Sequence, residues 1–245
     1  MNSPSISVLV IAHNEELHIG KCLDSLLVQT KHPDEIVVVA HNCTDRTEEI
    51  VSHYSDVKLV SYTGPVGQIH ARIEGFKQAR GEIIICTDGD AIVDKDWVEN
   101  MSAPLTNPAI TGVGGLVVSR NVWLGKTLSP FLNFYLPQIT RYVHGRARYL
   151  SFWGASFALR KADYVRIGGL AQLLSIKKSI FLTETPDDFY LAVMLGKLGK
   201  IVTVTSTKVF VFSKEETSAH TIERSRHQVT DGKKLYEYLR KISIL

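Results

Sequence analysis

The sequence predicts an α/β fold: a Rossmann-like, mostly parallel central sheet flanked by helices. Three observations predict it. Runs of β-forming residues at 6–11, 35–40, 57–62 and 83–85 alternate with helical patterns, which implies parallel strands joined by right-handed crossovers. The runs are short and nearly unbroken in their apolar character, as suits strands covered on both faces. The fourth run ends in Asp88-Gly89-Asp90, two carboxylates about one glycine, just past the end of a strand, where open α/β sheets place their ligands. An Asp-Gly turn would explain the pair without any ligand. Hard oxygen donors also suit Mg2+ or Mn2+ held for a phosphate-bearing substrate.

In chain order, the first strand is followed by His13-Asn14-Glu15-Glu16 and an amphipathic stripe at Ile19, Cys22, Leu23, Leu26 and Leu27, with Asn14 as the expected N-cap. Pro33-Asp34 ends that pattern before the second strand. Asp45 and Glu48 have the spacing of a capping box for a helix running to about Tyr54. After the third strand, the loop Gly64-Pro65-Val66-Gly67 leads to a helix with Ile69, Ile73 and Phe76 inward. The C-terminal edge of the sheet therefore carries residues 12–15, 40–44 and 88–90. Three loops on one edge make a site and favour the metal over the plain turn.

The second half reads differently. Residues 110–119 form a glycine-containing strand. Between Leu124 and Val143, apolar residues at Leu124, Leu128, Phe131, Leu132, Tyr135, Ile139 and Tyr142 recur at helical spacing. That pattern fits a core-facing helix, and also an acceptor lid or a surface touching lipid. A strand over 151–158, a short helix from Lys161 and a Gly168-Gly169 stop follow, with 170–182 read as a loop. Thr185-Pro186-Asp187-Asp188 is a helix start, with a capping hydroxyl, a proline and first-turn acids. The two acids serve capping or supply a catalytic base, and local sequence leaves both open. Residues 201–205 and 208–212 are two strand-like runs, and the chain then turns polar and basic. The last helix has Leu235, Leu239 and Ile242 on one side and Lys233, Lys234, Arg240 and Lys241 elsewhere, a solvated face of a kind that also rests on anionic lipid.

At 245 residues the chain can bury a full core, and a formal net charge of +3 does not argue for nucleic acid. Cys22, Cys43 and Cys86 form no paired motif, which fits a reducing compartment. No signal peptide and no apolar run of transmembrane length is read, so the expectation is a cytoplasmic protein, with peripheral contact at the inner face of a membrane as the variant. The absence of a GxGxxG after the first strand disfavours a dinucleotide oxidoreductase.

With the motifs placed in order, residues 5–212 resemble the family 2 glycosyltransferases, which have the A-type nucleotide-diphospho-sugar transferase fold. Residues 8–16 are similar to the family's first strand ending in Pro-x-Tyr-Asn-Glu, and 35–47 to its second strand and acidic loop. Ala71-Arg72-Ile73-Glu74-Gly75 resembles its Ala-Arg-Asn-x-Gly helix, and Asp88-Gly89-Asp90 its Asp-x-Asp metal motif. Residues 154–161 with Gly168-Gly169 resemble its acceptor-side segment, and Asp187-Asp188-Phe189-Tyr190-Leu191 its Glu-Asp-x-x-Leu motif.

The resemblance implies an inverting, metal-dependent transferase in a single domain. A nucleotide-sugar-binding half would span 1–115, a smaller acceptor-side half 116–212, and a basic helical tail 213–245. Ala12, Asn14 and Glu15 would line the nucleoside pocket, with His41 at the base, Arg72 near the nucleotide and Gly89 between the two acids. Asp88 would face ribose or metal, Asp90 would bind Mn2+ or Mg2+, and Asp188 would be the base, with Asp187 replacing the usual glutamate. The partners implied are a nucleotide-diphospho-sugar (UDP-sugar first, GDP-sugar second) and a glycan, lipid or small-molecule acceptor. Two departures stand out: His41 occupies the place of an acid, and Phe212-Ser213 the place of a late histidine, for which His220 or His227 are the candidates. They motivate the rival reading, a degenerate transferase fold that binds nucleotide-sugar or glycan without turnover.

Overall fold

The structure is a computed structural model of the chain, and it describes residues 3–119, 154–183, 186–212 and 218–241. One eight-stranded sheet runs through it, with strand order β3-β2-β1-β4-β7-β6-β8-β5. The strands are β1 (Ile6–Ala12), β2 (Glu35–His41), β3 (Val57–Tyr62), β4 (Ile83–Asp88), β5 (Ala91–Val93), β6 (Ile110–Ser119), β7 (Phe157–Arg160) and β8 (Lys200–Val211). The helices are α1 (Ile19–Leu27), α2 (Thr47–Ser52), α3 (Gln68–Gln78), α4 (Trp97–Ser102), α5 (Lys161–Arg166), α6 (Ala171–Ile180), α7 (Asp187–Leu198) and α8 (Ser218–Lys241).

The first four strands are parallel, as the β-α alternation requires. Alternation along β1 explains why they are apolar throughout. Ile6, Val8 and Val10 face one cluster with α1 and α4, while Leu9 and Ile11 face another with α3 and α7. Register pairs Ala12 with Ala40, Ile11 with Asp88 and His41 with Tyr62, so the acidic turn lies level with the first two loops. β7 runs antiparallel between β4 and β6, and β5 pairs antiparallel with the end of β8. That last pairing sets Phe212 beside the acidic turn, its N–H donating to the Asp90 carbonyl at 3.0 Å.

Several local expectations change. Asn14 does not cap α1, which starts at Ile19; Asn14 takes a left-handed conformation (φ 55°), and its Oδ1 accepts from the Thr44 N–H at 2.7 Å. Asparagine tolerates that conformation and reaches a neighbouring loop, whereas an N-cap would have bent back on its own helix. The capping box before α2 does not close. Asp45 accepts from the Thr47 N–H at 3.0 Å, but Glu48 takes the Ser61 hydroxyl at 2.7 Å. Residues 170–182, read as a loop, contain α6, because Leu173, Ile176 and Ile180 form an i, i+3, i+7 stripe against the core. Gly168 and Gly169, at φ 77° and 63°, make the preceding turn. The runs at 201–205 and 208–212 belong to the one strand β8, interrupted by a bulge opposite Gly115 and Leu116. In α8, Leu235 and Leu239 are fully buried in the cluster that also holds Tyr190 and Leu191 of α7. The helical pattern at 124–143, Thr185 and Ile242 lie outside the described residues.

Candidate active site

The C-terminal sheet edge is built from hydrogen bonds between successive loops. Glu15 N–H donates to Thr47 Oγ1 at 2.7 Å, and that hydroxyl donates to Asp45 Oδ1 at 2.6 Å. Asn14 holds Thr44, and Asn42, also left-handed at φ 49°, exchanges two 3.1 Å bonds with Gly64. The loops after β1, β2 and β3 are thus linked in series.

Ala12 is fully buried beneath the acidic turn, and Gly89 packs on it so closely that a Cβ there would come 3.0 Å from the Ala12 Cβ and 3.2 Å from Glu15 Cγ. A side chain there would make those neighbours give by a few tenths of an ångström. The thiol of Cys22 lies under the same spot. Burial raises its pKa, and the charges of Asp90, Asp88 and Glu15 raise it further. His41 is buried, its Nδ1 has no hydrogen-bond partner, and its ring stacks with His13 at 4.8 Å. Burial, then His13 and His70, hold its pKa below the usual histidine value, so the ring is neutral near pH 7. His13 Nδ1–H donates to the His41 carbonyl at 2.7 Å, which fixes its tautomer.

Arg72 ties this edge to the other half. It is 1 % exposed. Its Nη1 lies 2.7 Å from Asp187 Oδ2, and its Nη2 lies 3.0 Å from the Gly154 carbonyl and 3.5 Å from Asp88 Oδ1. The Phe157 ring lies beneath the guanidinium, 5.5 Å from centroid to Cζ. Burial opposes this charge, but Asp187 and then Asp88 more than offset it, and the pKa is raised. Asp88 accepts a second bond from Gln68 Nε2 at 2.9 Å; burial raises its pKa and Arg72 works against the rise.

Asp187 is buried and both its oxygens are engaged: Oδ2 by Arg72, and Oδ1 by the Asp188 N–H at 3.1 Å. Asp188 is half-buried, and its Oδ1 accepts from the Phe189 N–H at 2.7 Å. Its pKa is raised to about 6 by burial and by Asp187; Arg72 and the amides of Phe189 and Gly154 pull the other way. Both carboxylates accept first-turn amides of α7, and Asp187 also forms a buried charge pair with Arg72.

The sequence profile described as "Glycosyl transferase family 2" matches residues 7–164. The chain belongs to this family. Relatives of family 2 include "Glycosyltransferase AglE" of Haloferax volcanii, 30% identical over 120 residues, which are 46% of this chain and 40% of that protein. "Probable glycosyltransferase YdaM" of Bacillus subtilis is 30% identical over 184 residues, 68% of this chain and 43% of that protein. The chain thus spans less than half the length of these curated relatives. Its fold matches that of the mannosyltransferase PcManGT from Pyrobaculum calidifontis, in complex with GDP-Man and Mn2+. The TM-score is 0.70 at 23% identity, over 98% of this chain and 65% of that one. It also matches glucosyl-3-phosphoglycerate synthase from Mycobacterium tuberculosis, in complex with Mn2+, UDP and phosphoglyceric acid (TM-score 0.62, 20% identity, 94% and 77% covered). These neighbours share the α/β fold with its mostly parallel sheet.

Among the described residues, no group of three or more His, Cys, Asp or Glu side chains is arranged to hold a metal ion. Two carboxylates at a strand end nevertheless fit a cation whose remaining ligands are water and substrate phosphate, the usual manner of Mg2+. Arg72 and Gln68 both take Asp88 Oδ1, and Asp88 and Asp90 are each half-exposed. Sequence reasoning missed Gln68, Thr47 and Gly154. Gln68 and Thr47 carried a usable signal, since each starts a helix at the edge where the acids lie. Gly154 acts through its backbone, which side-chain chemistry does not reveal. His220 and His227 lie on α8, with side chains outside the described residues.

Proposed function

We propose that the protein is an inverting, metal-dependent glycosyltransferase that moves a sugar from a nucleotide diphosphate to an acceptor hydroxyl. The observation that carries this reading is the Arg72 guanidinium, which joins Asp88 at the donor edge to the acidic head of α7. Asn14, Glu15 and His41 bind the nucleoside end, with Ala12 and Gly89 shaping the floor. Asp90, with Asp88, holds Mn2+ or Mg2+, which when bound offsets charge developing on the diphosphate.

Asp188 accepts the proton of the acceptor hydroxyl. The hydroxyl oxygen forms its bond to the anomeric carbon as the bond from that carbon to the phosphate oxygen breaks, and the electron pair leaves with the nucleoside diphosphate. One displacement with one base inverts the centre. The donor is a UDP-sugar, with a GDP-sugar as the second choice, and the acceptor is a glycan, lipid or small molecule. Among the described residues no helix is long and apolar enough to cross a membrane, and the exposed Lys233, Lys234, Arg240 and Lys241 of α8 suit contact with anionic lipid.

A thermal-shift screen of UDP, GDP and their sugars, with and without Mn2+, tests donor binding, followed by nucleoside diphosphate release. Release that needs the cation and is lost in Asp90→Ala supports the enzyme. Tight nucleotide binding with no release across donors and acceptors supports the rival reading of a binding module.

A further inference from the structure

We propose that Arg72 is a positioning residue which takes Asp187 out of the proton chemistry and fixes Asp188 as the only base, with the Gly154 backbone as its guide. This inference rests on the transferase reading above. One guanidinium nitrogen faces Asp187, and the other is shared by Asp88 and the Gly154 carbonyl. The amide of Gly154 meanwhile favours the ionised form of Asp188. Gly154 therefore meets the cation through its carbonyl, while its amide weights the neighbouring base toward its charged form.

Both Asp187 oxygens already accept a bond inside the protein, one from Arg72 and the other from the head of α7, and the residue is buried away from an acceptor. Among the described residues no cation forms an ion pair with Asp188, which keeps a raised pKa, as a base working near neutrality needs. The planar fork explains why arginine stands here: a lysine could meet Asp187 or Gly154, not both with Asp88. Gly154 is fitted to the fork, since a Cβ there would lie 2.7 Å from Arg72 Nη2. Gly154 also lacks the positive φ that would make alanine strained in itself, so the clash is with the guanidinium alone.

The test compares Arg72→Lys, Gly154→Ala, Arg72→Met and Arg72→Met/Asp187→Asn with the parent chain. It reads Tm and Mn2+-dependent nucleoside diphosphate release from the donor that the thermal screen selects. Arg72→Met alone strands a buried carboxylate and lowers Tm by about 10 °C. The double variant removes both charges and recovers most of that Tm. A misplaced catalytic group costs on the order of 100-fold, so kcat of the double variant stays that far down, with KM for the donor changed much less. Gly154→Ala, with every charge in place, loses less Tm than Arg72→Met but about tenfold or more in kcat by the same effect. Arg72→Lys restores Tm more fully than kcat.

If the double variant recovers kcat together with Tm, or Gly154→Ala leaves kcat untouched, Arg72 is only a structural ion pair and the proposal is wrong. If the parent chain neither binds nor cleaves any donor, the transferase reading falls and this role falls with it. The two failures differ in whether the parent chain works.

Discussion

Arg72 Nη1 and Asp187 Oδ2 stand 2.7 Å apart with both residues buried, although 115 positions separate them in sequence. The pair distinguishes two acids that are adjacent and identical in type. Asp188→Asn is expected to abolish nucleoside diphosphate release while donor affinity, read by thermal shift with Mn2+, stays nearly unchanged. Asp187→Asn strands the Arg72 charge instead and costs about 3–5 kcal/mol of stability, as breaking a buried pair does. Retained turnover in Asp188→Asn would move the base elsewhere.

The same raised carboxyl makes a prediction about pH. Asp188 must be ionised to accept a proton, so the rate is expected to fall as pH drops through about 6. The sign for stability is opposite. A folded pKa raised above the unfolded value favours folding while the group is protonated, and that contribution is lost as pH rises through about 6. Asp188→Asn should therefore raise Tm relative to the parent at pH 8, with the difference vanishing near pH 4. Equal Tm values at both pH values would show that Asp188 titrates normally.

Removal of the cation should act at Asp90. In Mn2+, a nucleotide at about a hundredfold excess over Kd stabilises by about 2.7 kcal/mol. EDTA or Asp90→Ala is expected to erase most of that shift. A full shift in Asp90→Ala would exclude it as the ligand.

Gly89→Ala tests the packing under the donor edge. The new methyl would press on Ala12 Cβ and Glu15 Cγ at 3.0 and 3.2 Å, so those neighbours must give by a few tenths of an ångström. Weaker nucleotide binding is expected, by about tenfold or 1.4 kcal/mol, with a much smaller change in the Tm of the free protein. Unchanged nucleotide affinity would show that this contact does not shape the pocket.

Most of the donor half was legible in the sequence because β1, β2 and β3 are each followed by a helix, and Ile6–Ala12 or Ile83–Asp88 cannot be mistaken for a half-exposed strand. The acids at the end of β4 were legible for the same reason, since a strand end fixes its place on the edge. Chain-local reasoning failed where the partner is remote. Asn14 looked like a cap because its partner Thr44 is 30 residues away, and Glu48 looked like half of a capping box because Ser61 belongs to another strand. The burial of Arg72 against Asp187 depends on β7 entering the sheet antiparallel beside β4, an arrangement that periodicity does not encode. Helix α6 was missed after the paired glycines, although Leu173, Ile176 and Ile180 carry its stripe.

The serial bonds Glu15–Thr47, Asn14–Thr44 and Asn42–Gly64 have a calorimetric consequence. Loops already fastened to one another have little freedom to lose when a nucleotide arrives. Binding at this edge should show a small entropic penalty and a heat-capacity change set by the surface covered rather than by chain that folds on contact. Cutting one link, as in Asn42→Ala, should leave the enthalpy of the remaining contacts largely in place and move the cost into the entropy.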